Sequence, residues 1–551
     1  MPHFNFFNLI FGQGKIHGTD KNDLIFGSFG DDRVFANDGN DVVFGLFGDD
    51  KIAGGLGDDT IYGGWGRDIV LGGDGEDSVH GGAGNDIVVG NKGDDEMFGG
   101  RGNDLLVWNN GDGSDLIDGG TGYDVQQVNF NTDLVDDDLQ NNHVAEFSVT
   151  DQGIQFARIE LNGQTERGLF QLDIRKTEVQ ETNFGGGDDT AVITGDVLEK
   201  IKLKLDGGDG IDTLDMSQTT QSASINLGKG YVNTSKAKNF ENAIGTNFDD
   251  KISGDKGDNV LSGLGGEDRL FGRGGDDTIA GNKGNDKMFG GSGDDLLVWN
   301  NGDGSDLMHG GRGYDTQQVN FDTDLVNADL QNDDVAQYSV TDKGIEFARI
   351  ELNGQTEAGL FQLDIRKTEV QETNFGGGDD TAVITGDVLN EIMLELDGGD
   401  GVDTLDLSQT FGPVSVNIET GVIEIDNGAG PDASAINFEN VIGTASNDVI
   451  TGNDQDNIIR GGAGNDIMSG GEGADTFVFF EADIGVDVIL DFEVGVDRLQ
   501  FVTEDPEVTT DNMLANMTQV GGDVELALNN KVITLEDTLV TDFVADDFLI
   551  A

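Results

Sequence analysis

The chain of 551 residues has no cysteine, only 4 prolines and only 5 histidines. The absence of cysteine excludes a disulfide framework and thiolate zinc sites. The histidines form no HExxH pair, which excludes the helix of a zinc protease; they are His3, His17, His80, His143 and His309. No run of about 18 apolar residues occurs, so no transmembrane segment is predicted.

Positive charge is scarce, because 31 Lys and Arg residues face 106 Asp and Glu residues and the formal net charge is -75. This acidity excludes nucleic acid as a partner, since its phosphates would be repelled, and favours cations. High charge combined with 87 glycines is typical of disordered chains. The hydrophobic content is 36%, however, and the apolar residues recur periodically, which predicts a folded core.

Glycine, aspartate and an apolar residue recur every nine residues, as in "GGLGDDTIYGGWGRDIVLGG" at 54–73. From Gly18 to Asp104 the register holds without a slip. The sixth positions of this first array are Asp23, Asp32, Asp41, Asp50, Asp59, Asp68, Asp77, Asp86, Asp95 and Asp104, and the eighth positions are Ile25, Val34, Val43, Ile52, Ile61, Val70, Val79, Val88, Met97 and Leu106. A second array has Asp250, Asn259, Asp268, Asp277, Asp286 and Asp295, and a third has Asp448, Asn457, Asp466 and Asp475.

The period has a physical interpretation. A stretch such as Thr60-Ile61-Tyr62 is predicted to form a three-residue strand with its middle side chain inward. The Gly-rich hexamer reverses the chain, because glycine reaches positive φ. Two strands and two turns then form a coil of eighteen residues, which places Asp23 above Asp41. Stacked carboxylates repel each other unless a cation lies between them, and carboxylate and carbonyl oxygens together suit calcium.

These hexamers, for example Gly81-Gly82-Ala83-Gly84-Asn85-Asp86, resemble the GGxGxDxUx repeat of the RTX (repeats-in-toxin) family. The resemblance implies an all-β fold, a right-handed parallel β-roll or β-solenoid, with multiple calcium ions in its turns. The predicted metal ligands are Asp23, Asp32, Asp41, Asp50, Asp59, Asp68, Asp77, Asp86, Asp95, Asp104, Asp124, Asp250, Asp268, Asp277, Asp286, Asp295, Asp315, Asp448, Asp466 and Asp475. Asn259 and Asn457 depart from the pattern, so their turns either bind weakly or act as spacers.

Other interpretations of the glycine-rich turns fit less well. Simple solvated loops do not explain a register held over 90 residues. Runs such as "GRGGDD" suggest a nucleotide-binding loop, but no helix or basic residue follows to hold phosphate. An EF-hand would need flanking helices and a glutamate at the twelfth loop position.

A longer repeat overlays the short one, since "GLFQLDIRKTEVQETNFGGGDDTAVITGDVL" occurs at 168–198 and again at 359–389. Segments such as "IQFARIEL" and "TAVITG" predict short strands between the arrays. They form either a less regular solenoid or two inserted β-sandwiches. The predicted segments are an N-terminal cap 1–17, a first array 18–124, an intervening β segment 125–244, a second array 245–315, another intervening β segment 316–442, a third array 443–475 and a C-terminal region 476–551.

The two ends of the sequence differ in character. The opening "MPHFNFFNLIFGQGK" lacks a basic region and a cleavage site, so it is interpreted as a cap and not as a signal peptide. Near the other end, Asp546-Asp547 precedes Phe548-Leu549-Ile550-Ala551, which resembles the uncleaved C-terminal signal of type I secretion substrates. A hydrophobic solenoid cap is a compatible alternative. The resemblance implies a secreted, extracellular protein that uses the type I secretion machinery.

No catalytic motif is found, because "GDGSDL" at 111–116 is not a GxSxG elbow, and no enzyme activity is expected. Trp108 and Trp299 are predicted packing anchors, the alternative being a sugar-stacking platform. The expected function is that of a calcium-binding structural, matrix or adhesive protein, with an extracellular polysaccharide or cell surface as its partner. The alternative is a secreted enzyme or toxin-like effector with an unrecognised catalytic site. The start of the repeats at residue 18 favours the first function.

Overall fold

The structure is a computed structural model, and the part of the chain that it describes comprises 7–130, 143–151, 153–161, 164–165, 171–321, 334–341, 344–352, 355–356, 362–366, 368–425, 433–503, 505, 508–528 and 531–551. Two compact units are present, Met1–Arg273 and Gly274–Ala551. Residues 1–6 of the predicted N-terminal cap, His3 included, and parts of both intervening segments lie outside the described residues. The segment boundaries given above stay predictions.

The first unit consists almost entirely of short strands. It also contains the helix Val197–Lys200 and the 3₁₀ turn Leu227–Lys229. The strands are Asn8–Phe11, Lys15–His17, Asp23–Phe26, Arg33–Asp38, Val42–Phe47, Lys51–Leu56, Thr60–Trp65, Ile69–Asp74, Ser78–Ala83, Ile87–Lys92, Glu96–Arg101, Leu105–Asn109, Leu116–Thr121, Val125–Asn129, His143–Val149, Ile154–Leu161, Gln164–Thr165, Gln171–Arg175, Val179–Asn183, Thr190–Gly195, Lys202–Asp206, Thr213–Thr219, Ser224–Asn226, Tyr231–Val232, Ser235–Lys238, Asn242–Ile244, Lys251–Ser253, Val260–Gly265 and Arg269–Phe271.

The second unit has the same character, with helices Val388–Glu391 and Thr510–Asn516 and the 3₁₀ turn Ala545–Asp547. Its strands are Thr278–Lys283, Lys287–Ser292, Leu296–Asn300, Leu307–Arg312, Thr316–Asn320, Asp334–Thr341, Gly344–Leu352, Gln355–Thr356, Gln362–Arg366, Val370–Asn374, Thr381–Gly386, Met393–Asp397, Thr404–Thr410, Val414–Asn417, Val422–Ile425, Ala433–Ile436, Asn440–Ile442, Val449–Thr451, Ile458–Arg460, Ile467–Ser469, Thr476–Phe480, Gly485–Ile489, Arg498–Val502, Met517–Val520, Asp523–Leu528, Lys531–Leu535 and Phe548–Ile550.

Alternate strands pair in parallel, which confirms the coil of eighteen residues. Thr60–Trp65 pairs with Val42–Phe47 on one side and with Ser78–Ala83 on the other. The intervening strand Ile69–Asp74 belongs to the opposite sheet, where it pairs with Lys51–Leu56. The predicted strand length of three residues is wrong here, because the ladder continues through the glycines to residue 65 and gives six-residue strands.

The core is a line of single aliphatic side chains, one from each strand. All ten eighth-position residues of the first array are at most 2% exposed. Burying a side chain such as Ile61 contributes about 1.5–3 kcal/mol relative to leaving it exposed. The nine-residue period therefore fills the interior of each coil with one apolar residue from each sheet.

The first intervening segment extends the two sheets of its unit. Leu116–Thr121 pairs in parallel with Gln171–Arg175, and Val125–Asn129 pairs in parallel with Val179–Asn183. The hairpin formed by His143–Val149 and Ile154–Leu161 is antiparallel. This connectivity agrees with a less regular solenoid and not with an inserted β-sandwich. The all-β parallel β-roll predicted from the sequence is the fold observed.

The second unit repeats this pairing about 191 residues later. Leu307–Arg312 pairs with Gln362–Arg366, and Thr316–Asn320 pairs with Val370–Asn374, both in parallel. The antiparallel hairpin is formed by Asp334–Thr341 and Gly344–Leu352. The duplicated sequence thus forms the same strand arrangement twice.

Both predicted tryptophan anchors are fully buried. Trp108 and Trp299 are 0% exposed. The Trp108 indole N–H donates to the carbonyl oxygen of Gly113 at 3.0 Å, and its ring meets the edge of Phe130 at a centroid distance of 6.0 Å. Because the rings are inaccessible, they are packing anchors and cannot serve as sugar-stacking platforms.

The C-terminal region adds strands to the second unit. Thr476–Phe480 pairs in parallel with Arg498–Val502, which in turn pairs in parallel with the last strand, Phe548–Ile550. Gly485–Ile489 pairs in the same way with Lys531–Leu535. None of the helices in the described ranges is both long and apolar enough to span a membrane.

Candidate calcium sites in the glycine-rich turns

The sixth-position carboxylates form two hydrogen-bonded ladders along the first array. The backbone N–H of Asp41 donates to Oδ1 of Asp59 at 2.7 Å, and that of Asp59 donates to Oδ1 of Asp77 at 2.8 Å. The other ladder alternates with it, with Asp50 donating to Asp68 at 2.8 Å. Each carboxylate is therefore fixed beneath the turn of the preceding coil, as the eighteen-residue stacking predicts.

The second oxygen of most ladder carboxylates is buried and has no hydrogen-bond donor. An unpaired carboxylate oxygen in a buried position is strongly destabilising. When no donor is present, a bound cation can compensate the negative charge of this oxygen. The Oδ2 atoms concerned include those of Asp41, Asp50, Asp59, Asp68, Asp77, Asp86, Asp95, Asp104, Asp115, Asp124, Asp212, Asp295, Asp315, Asp403 and Asp466.

The first glycine of each hexamer leaves space beside this oxygen. A Cβ atom on Gly63 would lie 2.7 Å from Oδ2 of Asp68 and 2.5 Å from the carbonyl oxygen of Gly81. A Cβ atom on Gly81 would similarly lie 2.7 Å from Oδ2 of Asp86. Carboxylate and carbonyl oxygens, which are both acceptors, thus converge beside these glycines, and in the hexamer that ends in Asp41 a buried alanine, Ala36, takes the place of the first glycine. This oxygen-rich cradle fits a hard cation such as calcium.

Burial perturbs the ionisation of the ladder. Desolvation raises the pKa of Asp59 to about 8, although the N–H of Asp41 opposes the shift, and the neighbouring charges of Asp77 and Asp41 raise it further. The same cause raises the pKa of Asp68 to about 7. Without a cation, these ladder carboxylates therefore take up protons near neutral pH.

Side chains alone do not complete a metal site. Over the described ranges, no three His, Asp or Glu side chains gather into a group that could hold a metal ion. Calcium accepts six to eight oxygen ligands and readily uses backbone carbonyls, whereas zinc prefers histidine and cysteine. The combination of ladder carboxylates with turn carbonyls consequently suits calcium.

All twenty predicted ligands are at most 3% exposed, and all except Asp23, the first residue of a strand, lie between strands. The first members of the ladders differ from the others in having more protein donors. Asp448 accepts from the N–H of Val414 at 2.9 Å, from the N–H of Thr444 at 2.6 Å and from the Thr444 hydroxyl at 2.9 Å. Asp250 has an equivalent set of donors. Asp32 accepts a backbone N–H at each oxygen, and Asp23 accepts a backbone N–H at Oδ2 and side-chain donors at Oδ1.

The two asparagines replace the cation by a donor of their own. The side-chain oxygen of Asn457 accepts from the N–H of Asn453 at 2.9 Å, and its amide nitrogen donates to the carbonyl of Glu439 at 2.8 Å. Asn259 donates to the carbonyl of Glu241 at 2.7 Å. Since a neutral amide donates to the facing carbonyl directly, we expect these turns to act as spacers and not as calcium sites.

Several ladder members were missed because their spacing is not eighteen. Asp115 and Asp306 follow two-residue insertions and accept from Asp95 at 3.0 Å and Asp286 at 2.8 Å. Each is the last residue of a "GDGSD" motif, which would have indicated it if the nine-residue period had been allowed an insertion. Further members are Asp212, Asp403, Asp487 and Asp497, which lie 21 to 23 residues after their donors; of these, Asp212 and Asp403 lie in stretches that resemble the nonapeptide.

Comparison with known protein families agrees with this geometry. The family model described as RTX calcium-binding nonapeptide repeat (4 copies) matches residues 17–52, 35–70, 44–79, 71–106, 244–279, 262–297, 302–317 and 442–477. The chain therefore carries multiple RTX calcium-binding nonapeptide repeats, and its strand-rich parallel sheets are those of a β-roll. The resemblance inferred from the hexamers is confirmed.

Comparison with individual proteins adds little to this result. No curated protein matches the chain. Among solved structures, the extracellular lipase LipA from Serratia marcescens matches 62% of this chain and 45% of its own length, with 14% identity and a TM-score of 0.17. The match thus spans less than half of that lipase.

Proposed function

We propose that this RTX calcium-binding repeat protein folds on binding several calcium ions outside the cell, and that it has a structural, matrix or adhesive role there. The observation that carries the proposal is the series of buried Oδ2 atoms that face carbonyl oxygens with no donor between them. Such a series destabilises the folded chain unless positive charge is supplied.

Interior ladder members would hold the ions. Asp59, Asp68 and Asp77, together with turn carbonyls such as that of Gly81, provide carboxylate and carbonyl oxygens at close spacing. Calcium bound there supplies the positive charge that these oxygens lack. A backbone N–H of the chain itself holds Oδ1 of each of these three carboxylates in place.

Calcium-coupled folding also accounts for export. Calcium sites of extracellular modules bind at roughly 10⁻⁴–10⁻³ M. At the much lower calcium level inside a cell, repulsion within a chain of net charge -75 keeps it open. The open chain is then a substrate for the type I secretion machinery, with its signal in residues 476–551. Asp547, which is buried after folding and accepts from the N–H of Gly495 at 3.0 Å, would be accessible only before folding.

The role that we propose is binding and not catalysis, with an extracellular polysaccharide or cell surface as the partner. The buried carboxylates of the repeats are engaged in the ladders, where their backbone donors hold them in a repeating arrangement. A regular array of identical carboxylates suits metal binding better than the paired, unequal environments that acid–base catalysis needs.

Circular dichroism of the full chain tests the coupling. In chelator at about pH 8, where the ladder carboxylates are deprotonated, the spectrum is expected to be that of an unfolded chain, and about 5 mM calcium, which exceeds the affinity range above, should produce a β-rich, protease-resistant protein. Magnesium at the same concentration is the control and should fail, because it requires tighter octahedral geometry and retains water. A β-rich, protease-resistant chain in chelator that calcium leaves unchanged would contradict the proposal.

A further inference from the structure

A groove of ≈ 610 Å³ on one sheet of the first unit is lined by four lysines, which are Lys204, Lys229, Lys236 and Lys238. This concentration is notable because the whole chain has only 31 basic residues and a net charge of -75. We propose that this lysine groove binds an acidic glycan, meaning a sugar chain that carries carboxylate or sulfate groups.

Strand register builds the floor of the groove. Gln127, Glu181, Lys204 and Lys236 occupy one row across four parallel strands, each paired with the next. The second row, two residues further along each strand, consists of Asn129, Asn183, Asp206 and Lys238. Neighbouring strands lie about 4.8 Å apart, and residues two apart point to the same face. The rows therefore present lysines at one edge and amides at the other.

The lysines are only partly neutralised. Lys204 forms an ion pair with Glu181, and Lys238 forms one with Asp206. Lys229, at the end of the 3₁₀ turn, and Lys236 have no ion-pair partner in the described ranges of the chain, and both are exposed. The groove thus keeps excess positive charge that an anionic ligand can neutralise.

The duplicated copy shows that the fold does not require these lysines. There Met393–Asp397 pairs with Val370–Asn374 and Ala433–Ile436 in the same register. Lys204 is replaced by Glu395, Lys236 by Ser434 and Lys238 by Ile436, whereas the amide edge is retained. The same strand arrangement therefore carries a cationic surface in one copy and an acidic surface in the other. The lysines are not needed for packing.

The groove's chemistry and size indicate the ligand class. Its volume lies in the range of small-ligand clefts, about 300–1,000 Å³, so it fits a few sugar residues. Lysine ammonium groups bind carboxylate and sulfate, and the amides of Gln127, Asn129 and Asn183 can pair with hydroxyls. Tyr231, opposite Lys236 in the adjoining hairpin, adds an aromatic ring. A long nucleic acid would extend beyond the groove over the acidic remainder of the chain and be repelled there, whereas a glycan of a few sugar residues stays within the groove.

This inference rests on the adhesive role proposed above, and the test separates the two. Binding of fluorescent octasaccharides to the full chain is measured by anisotropy in calcium, and circular dichroism of the same samples reports folding. The probes are a hyaluronan octasaccharide, a sulfated dextran octasaccharide, uncharged dextran and a single-stranded oligonucleotide. We expect at least one acidic glycan to bind, more weakly at high salt, and dextran and the oligonucleotide not to bind.

Two sets of variants locate the site. Lys229→Ser, Lys236→Ser and Lys238→Ile combined, which copies the second unit at the last two positions, should weaken acidic-glycan binding by about tenfold or more. Lys51→Ser, Lys251→Ser and Lys256→Ser combined removes the same charge elsewhere in the first unit and should leave binding within about twofold. Conversely, Glu395→Lys, Ser434→Lys and Ile436→Lys combined should create a second site.

Equal weakening in both triple variants, or oligonucleotide binding as tight as glycan binding, would show unspecific charge attraction and overturn the proposal. A chain that folds with calcium but binds neither acidic glycan would also overturn it, and calcium-coupled folding would stand. A chain that binds glycan through the lysines but ignores calcium would instead overturn the proposed function alone. Preference for hyaluronan or for sulfated dextran identifies the anionic group and supports the groove in either case.

Discussion

Asp59 and Asp448 occupy the same position of the same nine-residue motif, yet their carboxylates have different surroundings. Asp59 accepts one backbone N–H, from Asp41, and its Oδ2 has no donor. Both oxygens of Asp448 accept hydrogen bonds, from Val414 and Thr444. Asn457 goes further, since its amide donates to the facing carbonyl.

The difference teaches that the motif alone does not define the need for calcium. Interior carboxylates have no protein donor at Oδ2, so when deprotonated they are expected to need a cation. Carboxylates at the start of a ladder, and asparagines within it, are satisfied by donors of the chain. We therefore expect the interior turns to respond to calcium and the other turns to respond much less.

The largest expected effect is that of pH on the calcium-free chain. Burial raises the pKa of Asp41 to about 6, of Asp68 to about 7 and of Asp115 to about 8 in the folded chain. Because these values lie above the unfolded value of 3.8, protonation of the ladder stabilises the folded chain fully below about pH 4, and this contribution is lost as pH rises from there to the folded values of about 6 to 8. In chelator the melting temperature should fall steeply over that window.

Calcium should abolish this fall, since bound ions take the place of protons. Salt titration is the control, because it screens exposed charges but hardly affects buried ones. A melting temperature in chelator that stays constant between pH 5 and 8 would show that the interior carboxylates do not differ from exposed ones.

The next largest effect is expected from Asn457→Asp, which converts a spacer turn into a ladder turn. The new carboxylate loses the donor to Glu439 and faces that carbonyl as a second acceptor. Leaving a buried polar group unsatisfied costs about 1–3 kcal/mol, and more when it is charged, so the variant should be destabilised in chelator. Calcium should restore the loss. The control is Asn465→Asp at an exposed position of the following repeat, and equal destabilisation of both variants in chelator would contradict the comparison.

Gly63→Ala tests the cradle itself. The added methyl group would press against the Gly81 carbonyl and Oδ2 of Asp68 and should destabilise the folded chain by about 1–3 kcal/mol. It should also raise the calcium concentration needed for half-folding. Gly30→Ala is the matched control, because a Cβ atom there meets no atom within 4 Å. Calcium titrations followed by circular dichroism compare the two, and similar midpoints would argue against a calcium cradle at Gly63.

The smallest effect is expected from Asp59→Asn, which imitates Asn457 within the first array. Its amide can donate where Oδ2 of Asp59 only accepts, so the variant should be slightly more stable than the parent in chelator, by about 1 kcal/mol. It should bind fewer calcium ions at saturation, measured by isothermal titration calorimetry. Asp58→Asn at the adjacent exposed position should leave the calcium stoichiometry unchanged. A lower stoichiometry in both variants would mean that the inner and outer carboxylates act alike.

Prediction from the sequence succeeded where the register was regular. The eighteen-residue stacking of Asp23 on Asp41 and the burial of the apolar eighth positions follow from periodicity alone. It failed at Asp115, where two inserted residues change the spacing while the turn is kept. Strand length was underestimated in most of the first array, because backbone hydrogen bonds between glycines leave no mark in the side-chain pattern, whereas the strands of the third array have the predicted three residues.

The sequence by itself determined the coil, its apolar core and the placing of a carboxylate in every turn, because each depends on residue type at a fixed spacing. Only the tertiary structure decided which carboxylates lack a donor and that Lys204, Lys236 and Lys238 meet Lys229 in one groove. Both outcomes depend on which backbone groups lie one coil away. The insertions and hairpins between turns decide which groups lie one coil away, and the nine-residue period of the sequence does not reveal them.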